Sequence, residues 1–166
     1  KWREISYAHC FSTPAYNQET SIPSWSLQWL SRQHDLQATP RYSLQTLDAC
    51  QTDDETWNTM QQYLKETGEL HNNARMTWGK TIVHWQCIGL SAGDVLKQLC
   101  YLNDRYALDG LSPCSYGGLL WCLGWCDKPK YGQLASKSAS RYKVGPDGFE
   151  RAKQVLMNQD TQSPSK

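Results

Sequence analysis

Apolar residues recur along this chain at intervals of three and four, and no stretch alternates strictly enough for a strand. The period predicts a run of helices. Trp2, Ile5, Tyr7, Ala8 and Phe11 fit a helix over residues 2–11, and Pro14 marks the turn-rich stretch that follows. A second helix starts at Ser21–Ser24, with Pro23 near its first turn, carries Trp25, Leu27, Trp29 and Leu30, and ends near His34. Residues 35–41 form a connector, and Ser43 caps a short helix holding Leu44 and Leu47. Thr52-Asp53-Asp54-Glu55 reads as a capping box for a helix carrying Trp57, Met60, Tyr63 and Leu64, which stops at Gly68.

The next helix, over residues 69–85, places Arg75, Trp78, Ile82 and Trp85 on one stripe. Its two tryptophans lie roughly 10 Å apart along the axis. Ser91-Ala92-Gly93-Asp94 caps a helix with Val95, Leu99, Leu102 and Tyr106, residues 107–115 read as a loop, and 116–125 as a helix. Pro146-Asp147 opens a last helix to about Met157, before a polar tail over 158–166. With no internal repeat, the fold class is all-α, an irregular helical cluster occupying residues 1–157.

At 166 residues and a formal net charge of +1, the chain can bury one core and is no strongly basic nucleic-acid binder overall. No stretch approaches the ~20 apolar residues of a membrane span, and no signal peptide is visible. Eight Trp and nine Tyr against two Phe suggest ring-lined sites as well as core. The seven Cys form no CxxC pair and share no zinc spacing with the four His, so no metal is expected and the thiols read as free, in an intracellular, reducing compartment.

Four constellations carry possible chemistry. Trp57, on the helix before the Trp78/Trp85 helix, would lie between those two rings if the helices are antiparallel. Three such rings can relay an electron to an oxidant such as a photoexcited flavin, and they can equally be aromatic core. Arg75 needs a carboxylate if buried, and Asp109 is the candidate; the pair could flank a planar redox cofactor, with Asn103 offering its amide to a ring nitrogen, or it could be a structural ion pair. Trp2, Met76 and Trp121 could line a pocket that stacks on bases. Lys128, Lys130 and Arg141, interleaved with Tyr131 and Tyr142, suit a phosphate backbone or a solvated loop.

Several stretches in order resemble the C-terminal part of the helical FAD-binding domain of DNA photolyases and cryptochromes, most closely the class II cyclobutane pyrimidine dimer photolyases. They are Trp2-Arg3-Glu4, Thr52 to Asn58, Gly68 to Asn72 with Arg75-Met76, Trp78-Gly79-Lys80 with Trp85, Tyr101 to Tyr106, Leu108-Asp109-Gly110, and Tyr116-Gly117 with Trp121. The resemblance covers roughly residues 2–127. It implies FAD as cofactor and blue-light repair of pyrimidine dimers in damaged DNA, by a protein that is monomeric when complete. Asn103 would neighbour the flavin N5, with Arg75 and Asp109 beside its ring. Trp78, Trp57 and Trp85 would be the electron relay, and Trp2 and Trp121 would stack on a flipped-out lesion near Met76.

The chain departs from that family in places. Leu111-Ser112-Pro113-Cys114-Ser115 stands where the family has Arg-Asp-Pro-Asn-Gly, and Cys126-Asp127 where it has His-Asp, slightly displaced. Gln133 to Ser136 replaces a basic stretch. The family's N-terminal antenna domain and the first part of its helical domain have no counterpart in these residues. A cryptochrome-like photoreceptor without repair activity, or a non-catalytic helical fragment, are the alternative readings.

Overall fold

The structure, a computed structural model, describes residues 2–12, 16–129 and 132–136, without the side chains of Trp2 and Phe11. The expected last helix, the polar tail, Lys130 and Arg141 lie outside the described residues. The described residues form seven α-helices and no strand ladder: α1 (Trp2–Ser12), α2 (Ser24–Gln33), α3 (Leu44–Asp48), α4 (Glu55–Thr67), α5 (Asn72–Gln86), α6 (Ala92–Tyr106) and α7 (Pro113–Cys122). A 3₁₀ turn, Glu19–Ser21, precedes α2. The all-α expectation holds.

Local chemistry sets the helix ends. Ser43, Ser91 and Ser112 cap α3, α6 and α7 through their hydroxyls, which accept from the backbone N–H three residues on. Gly68 ends α4 in the left-handed region, at φ 71°. Three boundaries differ from the sequence expectation. The cap of α4 is Asp54, accepting from Trp57 N, because the Thr52 hydroxyl is taken by Asn58 at 2.7 Å. Helix α5 starts at Asn72 rather than Glu69, with His71 as its cap. Helix α7 starts at Pro113, three residues before the expected Tyr116, because a proline at the first helical position loses no intrahelical bond.

Helix α5 is the centre. It touches α4, α6 and α7, while α1 leans on α7. Residues 76–80 of α5 are buried without interruption, so the expected amphipathic stripe is in fact a helix enclosed on nearly all sides. Trp78, Ile82 and Val83 meet Leu64, Leu99, Leu102, Leu119 and Leu120 in one core. Helices α4 and α5 run antiparallel, as expected: Trp57 reaches Trp85, and Gln61, one turn later, reaches back to Trp78.

Two outcomes check this packing. A Cβ on Gly89 would lie 2.2 Å from Pro40 N and 2.3 Å from Thr39 C, so Gly89→Ala is expected to cost about 1–3 kcal/mol in denaturant melts. All seven cysteines are free. Burial, helped by Asp104, pushes the Cys100 thiol up to about 12, so at pH 8 it carries almost no thiolate. Iodoacetamide at that pH is expected to modify exposed Cys126 first and to leave Cys100 intact until unfolding, as read by mass spectrometry of peptides.

Candidate functional site

A cavity of about 550 Å³ opens between α5, α7 and the loop joining α6 to α7. Its volume is that of a small-molecule site, roughly 300–1,000 Å³. Leu70, Met76, Gly118 and Trp121 supply apolar wall, and Asn72, Arg75, Asp109, Cys114 and Ser115 the polar part. Helix α7 contributes at a three-residue spacing, with Ser115, Gly118 and Trp121 on one stripe. The loop is held from both ends: Leu108 N donates to Gly68 O at 2.9 Å and Ser112 N to Asp109 O at 2.9 Å. At Gly110 a Cβ would approach Asn103 O to 2.7 Å, so only glycine lets this loop fold back against α6.

That fold brings Asp109 to Arg75. Arg75 Nη1 donates to both carboxylate oxygens, at 2.8 and 3.0 Å, and reaches Ser115 Oγ at 3.4 Å. The guanidinium is largely buried, while the carboxylate is 52% exposed, so the pair itself is screened and modest in energy. Arg75 Nε is buried and has no protein partner. Burying that N–H unpaired costs about 1–3 kcal/mol.

Asn103 lies one layer behind the wall and does not line the cavity. Its amide Nδ2 donates to Gly110 O at 2.9 Å and Asp104 Oδ1 at 3.1 Å, and its Oδ1 accepts from Ser115 Oγ at 2.9 Å. Asp104 also accepts from the Tyr116 hydroxyl at 2.6 Å; burial and that carboxylate push the tyrosine pKa well up.

The tryptophans form a connected run. Trp57 and Trp85 rings lie edge-on at 5.5 Å. Trp57 Nε1 donates to Trp78 O at 3.2 Å, and Trp78 Nε1 to Gln61 Oε1 at 2.8 Å. Trp57 and Trp78 are fully buried, whereas Trp85 is half-exposed. Beyond Trp85 stands Tyr42, edge-on at 5.0 Å, whose hydroxyl donates to Asp53 beside Arg41. Buried Gln86 fixes Tyr42 there, exchanging bonds of 3.2 and 2.8 Å with its backbone.

The structure therefore gathers Arg75, Met76, Asp109 and Trp121 around one cavity and strings Trp78, Trp57 and Trp85 together through the core. Lys128 is exposed. The side chain of Trp2 lies outside the described residues. Sequence reading missed Cys114 and Ser115, which the expected loop over 107–115 kept out of the helix, and Gly118, which offers no side chain to signal a site. It also missed Tyr42, for which no local signal exists.

The described residues thus form a helical cluster with one ion-paired, partly aromatic cavity. The chain is 34% identical over 140 residues to a deoxyribodipyrimidine photo-lyase of Methanothermobacter thermautotrophicus, 32% over 139 residues to that of Potorous tridactylus, and 28% over 138 residues to that of Oryza sativa subsp. japonica. Each match covers 80% of this chain, and the chain spans 30%, 25% and 27% of those relatives. No family model matches the chain. The chain belongs to the DNA photolyase family.

Gly118 has open space within 4 Å and faces the cavity from inside a helix. Gly118→Ala is expected to stabilise the fold by about 0.5–1 kcal/mol in thermal melts. The added methyl projects into the cavity, so ligand affinity measured by titration falls in the same variant.

Proposed function

We propose that the intact protein binds FAD and uses blue light to split cyclobutane pyrimidine dimers in DNA, as a class II-like photolyase. The observation that carries this is the two-sided cavity: Arg75 and Asp109 offer ion-paired polar contacts, while Met76 and Trp121 offer surface on which a flat ring or base can lie.

The residues present fit the ring part of FAD. Arg75 brings a guanidinium to the lining, and the apolar wall of Leu70, Met76, Gly118 and Trp121 flanks it. Arg75 is the cavity's one cation among the described residues and is already paired, so the lining supplies no partner for the diphosphate. Flavin supplies the photoexcited electron when bound. Arg75 would orient the ring system, with Asp109 holding the guanidinium in place. Asn103 and Ser115 would set the polar layer behind it. Trp121 would stack on an extruded lesion, a contact worth about 1–3 kcal/mol per base. Trp85, Trp57 and Trp78 would pass electrons inward from the surface, and Tyr42 extends that path outward. Burial keeps water from the inner two rings. Seven free thiols suit an intracellular, reducing compartment.

A flavin photoreceptor without repair is the second reading. It draws on the lack of an unpaired cation at the cavity among the described residues. Blue-light irradiation of the intact protein with a dimer-containing oligonucleotide separates the two. Falling dimer content supports repair; unchanged dimer content with FAD bound and saturating light overturns it in favour of the photoreceptor. Trp78→Phe is expected to retain FAD and to slow flavin photoreduction by about tenfold or more, followed by visible absorption; each tenfold corresponds to about 1.4 kcal/mol of barrier. Trp85→Phe, at the half-exposed end, should slow it less.

A further inference from the structure

Lys80 and Asp127 form an ion pair that the cavity chemistry above does not use. Lys80 Nζ lies 2.7 Å from Asp127 Oδ2 and 3.3 Å from Ala135 O. The lysine side chain is 7% exposed and the aspartate 26%. The other carboxylate oxygen, Asp127 Oδ1, accepts from Trp121 Nε1 at 3.0 Å. A single carboxylate thus joins a buried cation on α5 to the ring that forms part of the cavity wall.

The backbone is shaped to make this meeting. After α7 the chain reverses through Gly124, at φ 95°, and Cys126, at φ 61°. A non-glycine residue in the left-handed region costs roughly 1–2 kcal/mol. The reversal is bonded from Asp127 N to Gly124 O at 3.0 Å, and a Cβ on Gly124 would strike Trp25 at 2.8 Å. The turn therefore returns Asp127 beside Trp121, six residues earlier. Leu134, next to the Ala135 carbonyl that accepts from Lys80, is 2% exposed.

We propose that Asp127, fixed by Lys80, is a positioning residue that locks the Trp121 indole in the orientation needed to stack on a flipped-out pyrimidine dimer. The proposal rests on the reading of this cavity as the lesion pocket. An indole turns about two side-chain torsions, and an N–H anchor at its edge removes one of those freedoms before ligand arrives. Lys80 holds the anchor, since a buried ammonium without its acid is strongly unfavourable. A plain stabilising strut would need only the Lys80–Asp127 pair and would leave the Trp121 N–H indifferent to it.

The test separates strut from anchor. Lys80→Met/Asp127→Ala removes the acceptor without stranding a buried charge, and Lys80→Met/Asp127→Asn puts a neutral acceptor back. The first readout needs no ligand: hydrogen exchange of the Trp121 indole N–H in the intact protein labelled with nitrogen-15, its signal identified by loss in Trp121→Phe. The second is dark binding of an oligonucleotide with one thymine dimer, by fluorescence anisotropy. The alanine variant is expected to exchange about tenfold faster and to bind the dimer about tenfold more weakly, and the asparagine variant to recover both to within about threefold. In a Trp121→Ala background, removing the acceptor should cost no further affinity.

Unchanged exchange in the alanine variant overturns the proposal, as does faster exchange with unchanged dimer affinity, or an equal affinity loss without Trp121. If the unsubstituted protein shows no preference for dimer DNA, the lesion-pocket reading fails, and with it the stacking role; exchange then still decides whether Asp127 anchors the ring. Asp127→Glu keeps the charge and moves the acceptor by one methylene. It serves where the double variant does not fold, and wild-type exchange in it would also overturn the anchor.

Discussion

Enclosing α5 on nearly every side is the constraint on which the rest of the structure depends. A helix buried that way must find partners for most of the polar groups it carries, because an unmet buried donor or charge costs more than a lost contact; Arg75 Nε and His84 Nε2 are left without one. Thr77 finds its partner within its own helix, bonding Asn73 O at 3.0 Å. The other polar residues reach outward, and each reach fixes another part of the molecule. Arg75 draws in the 107–112 loop through Asp109. Lys80 draws in the turn after α7 through Asp127. Gln86 draws in Tyr42 from before α3, and its Nε2 also bonds Gln98 Oε1 at 2.8 Å. The buried polar side chains of α5 thus dictate which loops surround it.

The tryptophans obey the same rule. Phenylalanine would supply apolar surface between α4 and α5 too, though less of it. Indole adds an N–H, and here both inner indoles are bonded, Trp57 to Trp78 O and Trp78 to Gln61. Each bond fixes the plane of a ring as well as its position. Packing alone would leave the rings free to find their own tilt. The proposed relay would draw on that fixed relation.

Much of this was legible beforehand where the signal is local. Ser43, Ser91 and Gly68 are recognisable helix ends because capping is a contest among neighbours for a few backbone groups. Where two local solutions compete, the sequence misleads. Thr52 and Asp54 can each cap α4, and the choice falls to Asp54 because Asn58 occupies Thr52. Pro113 invites a loop as readily as a first helical turn, and the choice moved three residues of α7, two of them cavity-lining, from loop to helix. The spacing of Arg75, Trp78, Ile82 and Trp85 suggested one apolar stripe. It could not reveal that Met76, Thr77, Gly79 and Lys80 are buried too, since burial of a helix's polar side depends on what lies opposite.

The sequence by itself determined the helical class, most helix ends, the ring-bearing helices and Asp109 as the candidate partner of Arg75, and it led the thiols to be read as free. Each follows from periodicity, capping chemistry, cysteine spacing or the charge balance of a buried cation. Only the tertiary structure decided that Asn103 stands behind the cavity wall, that Tyr42 continues the line of rings, and that Asp127 serves Lys80 and Trp121 together. Those outcomes join residues 6 to 47 positions apart through hydrogen bonds that no local pattern encodes. They exist because a closed core leaves each buried polar atom few places to go.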